Sequence, residues 1–232
     1  MNIGLILAGG RGTRMDESGS KPKQFMKIDS KPLIAYSLEA FNSHREIDTI
    51  VVVCLNEWIY ELKSLVNFYG FEKVSKIVNA GKNRRESSYK GVMAVSEIGG
   101  SNSVVLIHDA ARPFVSGRII SENIKYAKIY GGCDTVIKMQ DTILESNDGC
   151  FIGNIPDRKN FYCSQTPQSF IVKNILRAHQ YYNISKIKPE ITDDCGLMLF
   201  AGFSVYMADG EKSNIKITSK EDLLIGKALK KN

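Results

Sequence analysis

Most of the marks that would sort this chain into a familiar class are missing. No stretch approaches the roughly 18 apolar residues of a membrane span. The apolar start at residues 3–7 meets a glycine turn too soon for a signal peptide, which predicts a cytoplasmic protein without a membrane partner. The five cysteines (Cys54, Cys133, Cys150, Cys163, Cys195) are scattered, odd in number and form no C-x-x-C pair, which argues against a disulfide framework or a zinc site. With three histidines (His44, His108, His179) there is no nucleophile–histidine–acid set. Net charge is +6, yet no basic run interleaved with aromatics accompanies it, so nucleic acid is not an expected partner. No repeat, low-complexity linker or composition break divides residues 1–232, and the ordinary 43% hydrophobic and 24% charged content suits a single α/β domain.

What the chain does have begins at residue 3. The apolar residues Ile3, Leu5, Ile6 and Leu7 end in a small-residue turn, Ala8-Gly9-Gly10-Arg11-Gly12, with Arg11, Arg14, Lys21 and Lys23 in or just beyond it. A buried strand feeding a glycine turn brings backbone N–H groups close to an anion. The cations add charge that a structural turn does not require, so the pattern points to a nucleotide triphosphate. It is neither of the better-known phosphate loops. Met15 stands where a dinucleotide fingerprint needs its third glycine, and no Lys-Ser or Lys-Thr follows as a P-loop demands. The alternative is a plain strand–turn–helix connection in which glycine supplies positive φ.

Beyond the turn, strand-like and helix-like segments alternate, predicting a mostly parallel sheet with helices on both faces. Strands are expected at about 3–8, 48–54, 74–78, 104–108, 135–138 and 203–207, with a short one at 215–217. Helices are expected at about 31–43, 58–69, 86–98, 118–130, 171–183, 194–201 and 219–230. Residues 139–164 break the rhythm. Two β-type runs, 142–145 and 150–152, flank Ser146-Asn147-Asp148-Gly149, a hairpin signal. A hairpin inserted there projects as an arm, either onto a second copy of the chain or as a surface excursion.

Three further stretches carry chemistry. Asp109 and Arg112, in His108-Asp109-Ala110-Ala111-Arg112-Pro113, follow a buried strand, where ligands of open α/β sheets bind. Asp109 is placed to hold a metal on phosphate oxygens and Arg112 to bind a phosphate; a capping Asp with a surface Arg is the alternative. His108 reads as a packed strand-end residue rather than a base. In Gly81-Lys82-Asn83-Arg84-Arg85-Glu86-Ser87, glycine permits close approach to a base or sugar, and Ser87 either bonds a nucleoside edge or caps a helix. Lys216, in a short β run, needs an anionic partner if buried, and a phosphate would supply one; a surface-edge lysine is the alternative.

Seven motifs in order, Leu7 to Met15, Pro22 to Phe25, His108 to Pro113, Asp141 to Ile143, Gln165 to Phe170, Thr192 to Asp194 and Asn214 to Thr218, resemble those of the sugar-alcohol-phosphate cytidylyltransferases. That family comprises methylerythritol 4-phosphate and ribitol 5-phosphate enzymes. The resemblance implies a Rossmann-like, GT-A-like nucleotidyltransferase with a dimerisation arm at about 139–164, using CTP and Mg²⁺. It implies catalytic roles for Arg14, Lys23 and Lys216, and CTP contacts from Leu7, Ala8, Gly9, Gly10, Gly12, Gly81, Arg84 and Ser87. Asp109, Arg112, Thr142, Arg158 and Thr166 would bind the polyol phosphate, with Arg158 reaching across a homodimer and Asp109 also holding the metal. The implied reaction is attack of a substrate phosphate oxygen on the α-phosphorus of CTP, releasing pyrophosphate. Because the nucleophile is already an anion, cations rather than a general base carry the work. Gly9 in place of alanine, residues 155–158, Cys195 after Thr-Asp-Asp, and residues 210–214 resemble the ribitol branch, so D-ribitol 5-phosphate is the expected acceptor. 2-C-Methyl-D-erythritol 4-phosphate is the alternative. A catalytically inactive nucleotide-binding protein is the competing reading from another class.

Overall fold

The computed structural model describes residues 1–10 and 21–230. Arg14 and Gly12, both expected at the phosphate site, therefore lie outside the described residues. Nine strands and seven α-helices follow in chain order among the described residues: β1 (Asn2–Ala8), β2 (Lys27–Ile28), β3 (Lys31–Pro32), α1 (Leu33–Ser43), β4 (Thr49–Cys54), α2 (Ile59–Tyr69), β5 (Val74–Asn79), α3 (Arg84–Gly99), β6 (Val104–Asp109), α4 (Gly117–Tyr130), β7 (Gly132–Lys138), β8 (Tyr162–Ile171), α5 (Val172–Ile184), α6 (Asp194–Phe200), β9 (Tyr206–Asp209) and α7 (Lys220–Lys230). Seven strands form one sheet in the order β5-β4-β1-β6-β8-β7-β9. Every pairing is parallel except the two made by β8, so the sheet is mostly parallel, as the sequence predicts.

The continuous apolar runs of β1, β4 and β6 are explained by burial on both faces. Alternate residues enter opposite cores. Ile6, Val52 and Leu106 join α1, α2 and α4 on one face, while Leu5, Val53 and Ile107 join α3, α5 and α6 on the other. Helix ends follow familiar chemistry: Gly131, at φ 83°, closes α4, and Asn83 caps α3 through Oδ1, which accepts from Glu86 N. The helix therefore starts at Arg84, two residues before the sequence estimate.

Three differences from expectation bear on the site. Strand β8 is not anticipated by the sequence pattern, because Gln165-Thr166-Pro167-Gln168-Ser169 is polar and carries a proline. The ladder accommodates it with an irregularity between Asp134 and Val136 of β7. The polar side chains are buried because each has a partner, as when Ser169 Oγ donates to Asn123 Oδ1 at 2.9 Å. Secondly, residues 215–217 are not a strand but part of a strap running from 210 to 218. Thirdly, the arm hairpin is one isolated bridge, Glu145 to Asn154, around a turn in which Asp148 Oδ1 accepts from Cys150 N and Phe151 N. The arm extends the β7–β8 pair, since Met139 N donates to the Phe161 carbonyl at 3.1 Å. No described helix is long and apolar enough to cross a membrane.

Candidate active site

A cavity of about 490 Å³ opens at the carboxyl ends of β1, β4, β5 and β6, where this sheet type binds ligands. Of the residues singled out in the sequence, Leu7, Gly9, Gly10, Lys23, Gly81, Arg84, Ser87, Asp109 and Lys216 line it. Lys23 starts a short 3-10 turn held against the end of β1 by Gln24, whose Nε2 donates to the Ala8 carbonyl at 2.7 Å. Ala8 is itself buried behind the wall. Lys82, Asn83, Gln24, Leu55, Ala110 and Ala111 complete the lining. Sequence reasoning gave them no role, although several adjoin residues that it did choose.

Lys216 Nζ lies 2.8 Å from Asp109 Oδ2. The lysine is thus not buried in a β run; it is half-exposed on the strap, and its anionic partner is a protein carboxylate. Burial alone would raise the Asp109 carboxyl, but the charges of Lys216, Arg84 and Arg112 outweigh it and hold the group well below the usual carboxylate range. Asp109 therefore remains an anion facing a cavity ringed by Lys23, Lys82, Arg84 and Lys216.

The strap carrying Lys216 is fixed at several points. Gly210 N donates to the Val136 carbonyl, Ile217 N to the Ala111 carbonyl, and Asn214 Nδ2 to the Thr166 carbonyl, all within 2.8 Å. Arg112 belongs to this fastening. Its Nη1 donates to the Asn214 carbonyl at 2.8 Å and its Nη2 to the Ser164 carbonyl at 3.4 Å. Arg112 does not line the cavity.

Thr166 and His108 are buried behind Asp109 and support the floor from outside the lining. The Asp109 backbone N–H donates to Thr166 Oγ1 at 3.1 Å, so the hydroxyl proton is directed to His108 Nδ1, 3.0 Å away. His108 Nε2 must then carry the hydrogen and donate to the Arg112 carbonyl at 3.0 Å. Burial pushes His108 down to about 4, keeping it neutral, with both ring nitrogens committed. It is a positioning group rather than a base. Thr166, expected at the acceptor phosphate, is buried with its hydroxyl committed to this chain of bonds. Thr142 and Arg158 lie exposed on the arm, away from the cavity, and Arg158 Nη1 donates to the Gln140 carbonyl.

The turn after β5 is shaped by glycine and serine. A Cβ on Gly81 would meet Glu86 Cβ at 2.5 Å. Ser87 is not the helix cap; its Oγ accepts from Gly81 N and donates to the Asn83 carbonyl, both at 2.9 Å. A Cβ on Gly9 would lie 2.7 Å from Ala80 Cβ, so Ala80 explains that glycine locally. Gly10 differs, since no described atom lies within 4 Å of the Cβ it lacks.

The family model described as IspD, 2-C-methyl-D-erythritol 4-phosphate cytidylyltransferase, matches residues 3–231. The chain belongs to this family. It is a CTP-dependent cytidylyltransferase, a nucleotidyltransferase. A relative in Clostridium botulinum (strain Loch Maree / Type A3), named 2-C-methyl-D-erythritol 4-phosphate cytidylyltransferase, is 42% identical over 98% of this chain and 96% of its own. One in Vibrio parahaemolyticus, named ribitol-5-phosphate cytidylyltransferase, is 38% identical over 99% and 95%. The crystal structure of 4-diphosphocytidyl-2C-methyl-D-erythritol synthase from Anaerococcus prevotii superposes with a TM-score of 0.85 at 27% identity, covering 100% of this chain and 96% of the other. The expected preference for ribitol 5-phosphate is not favoured by these relatives: the family model and the 42%-identical protein carry the methylerythritol name. Ala80 gives Gly9 a steric reason of its own, whichever acceptor is used.

Proposed function

We propose that the chain transfers CMP from CTP to a sugar-alcohol phosphate, with 2-C-methyl-D-erythritol 4-phosphate as the acceptor. The observation that carries the transfer chemistry is the Lys216–Asp109 pair facing a cavity that Lys23, Lys82 and Arg84 also line. In this reading the base and ribose lie along Gly9, Gly81 and Ser87, and the triphosphate approaches Gly10, where a side chain would intrude. Lys23 and Lys216 neutralise the charge that builds on the α-phosphoryl group as the acceptor's phosphate oxygen attacks and pyrophosphate leaves. No base is required, because the attacking oxygen is ionised; His108 is neutral and committed to the floor.

An Mg²⁺ ion suits the donor set here: one ionised carboxylate, Asp109, beside space for phosphate oxygens. When bound it would add charge neutralisation on the phosphates. The acceptor side is completed by a second copy of the chain. Leu144, Phe151, Ile152 and Ile155 are 55–78% exposed on the arm, an apolar surface out of keeping with an isolated excursion. A partner's arm would deliver its Thr142 and Arg158.

D-Ribitol 5-phosphate is the second reading, supported by the Vibrio relative's name. A pyrophosphate-release assay with CTP, Mg²⁺ and each acceptor in turn decides. Faster turnover with the methylerythritol substrate is expected; faster turnover with the ribitol substrate reverses the order. Failure of both, with CTP still bound, identifies an inactive nucleotide-binding protein.

A further inference from the structure

Asp194 is 1% exposed at the start of α6, outside the cavity, yet it touches a residue that lines it. Arg84 Nη1 donates to Asp194 Oδ2 at 2.8 Å, and Ser88 Oγ, one helical turn further along α3, donates to Oδ1 at 2.5 Å. Arg84 is the first residue of α3, where the helix dipole disfavours a cation. Helix stability therefore does not explain an arginine there. Nor does a buried carboxylate come without cost unless it is paired.

Asp194 is held in place from the sheet side. Gln168, 1% exposed on β8, accepts from Asp194 N through Oε1 at 3.1 Å and donates from Nε2 to Asp193 Oδ2 at 2.8 Å. Asp193 in turn caps α6 by accepting from Gly196 N at 2.7 Å. One amide thus fixes two consecutive residues, and the second aims its carboxylate at Arg84. Burial works against the charge of the guanidinium, but Asp194, Asp109 and Asp193 more than offset it.

We propose that Asp194 is a positioning residue for nucleotide binding, its buried carboxylate holding the Arg84 guanidinium at the cavity wall. One nitrogen of Arg84 is committed to Asp194, and the side chain, about a third exposed at 32%, presents its charge to the cavity already ordered. A long arginine fixed before binding loses less rotamer freedom when the nucleotide arrives. The proposal rests on reading Arg84 as a nucleotide contact.

The test is CTP affinity by calorimetry, with Mg²⁺ present, alongside thermal unfolding of each variant. Asp194→Asn keeps the shape and removes the charge, and should weaken CTP binding about tenfold, the loss expected for one charge-assisted hydrogen bond. Arg84→Met should weaken it at least as much. The double variant should match Arg84→Met within about twofold, because both changes remove one interaction. Additive losses overturn the proposal, as does unchanged affinity in Asp194→Asn when Arg84→Met is weakened. Unchanged affinity in Arg84→Met instead removes the nucleotide role of Arg84, and the proposal with it. If Asp194→Asn does not fold, Ser88→Ala takes its place, deleting a bond to the same carboxylate without reaching the cavity. A loss of about two- to threefold is then expected, and none overturns the proposal.

Discussion

Lys216 reaches Asp109 from the strap and Lys23 lines the cavity from the turn beyond β1, so the two cations come from segments almost the whole chain apart. If both stabilise charge at transfer, Lys23→Ala or Lys216→Ala should lower turnover at least about a hundredfold, as loss of one oxyanion donor does. Steady-state pyrophosphate release checks this, and rates like wild type in both variants would remove the mechanism. Gly9 allows a sharper experiment. Adding a methyl against Ala80 at 2.7 Å should overpack the turn, costing about 1–3 kcal/mol. Gly9→Ala with Ala80→Gly should restore the unfolding midpoint and CTP affinity, whereas a double variant no better than the single would show that the close contact is not what selects glycine. These two residues mark what the sequence could not disclose. Gly9 is visible in the motif, but its reason stands 71 residues later, in a contact between two loops. Asp109 was legible as a cavity residue because it ends a buried strand, and Lys23 and Lys216 because each stands in a motif whose position beside the cavity the fold bears out. Asp194 stood in a recognisable motif without a role, since its partner Arg84 is 110 positions away.

At the scale of elements, the pattern disclosed β1, β4 and β6 within a residue or so because burial on both faces leaves an unbroken apolar run, and it found the edge strand β5 from Val74, Ile77 and Val78 although Ser75 and Lys76 interrupt it. It failed for β8, whose inward residues are polar and answer to partners on β6, β7 and the strap. It failed at residues 215–217 because the strap is fixed by Arg112, Asn214 and Gln165 side chains rather than by a ladder. The arm invites a subunit-mixing experiment. Lys216→Ala and Arg158→Ala should each be impaired alone. If Arg158 serves the neighbouring subunit, mixed dimers contain one site with both lesions and one with neither, so mixing the two inactive proteins should recover activity. No recovery, with exchange of subunits verified, would place Arg158 in its own subunit's site or in none.

For the molecule as a whole, three buried groups set how stability depends on pH between about 4 and 6.5. Burial lowers His108 and His179 to about 4, so the unfolded chain binds more protons than the folded one between about 4 and 6.5. Their contribution to stability is complete above pH 6.5 and is lost as pH falls through that window. Asp134 has the opposite sign: burial raises it to about 6, so its contribution is present at low pH and declines as pH rises from about 4 to 6. Two histidines outweigh one carboxyl, and the urea midpoint should fall as pH is lowered from 6.5 to 4. Asp134→Asn should steepen that fall, and His179→Phe should flatten it. A midpoint that rises on acidification would reverse the assignment.

The β7–β8 ladder has one more consequence. At one end it becomes the arm, and at the other it carries Thr166 beneath Asp109 and Gln168 beside Asp194. Side chains alternate faces along such a ladder, so slippage by a single residue would point both away from their partners. The antiparallel pair thus acts as a ruler: anything that grips the arm also fixes the scale on which the support beneath the cavity is laid out, since Thr166 follows Ile155 of the arm by 11 residues.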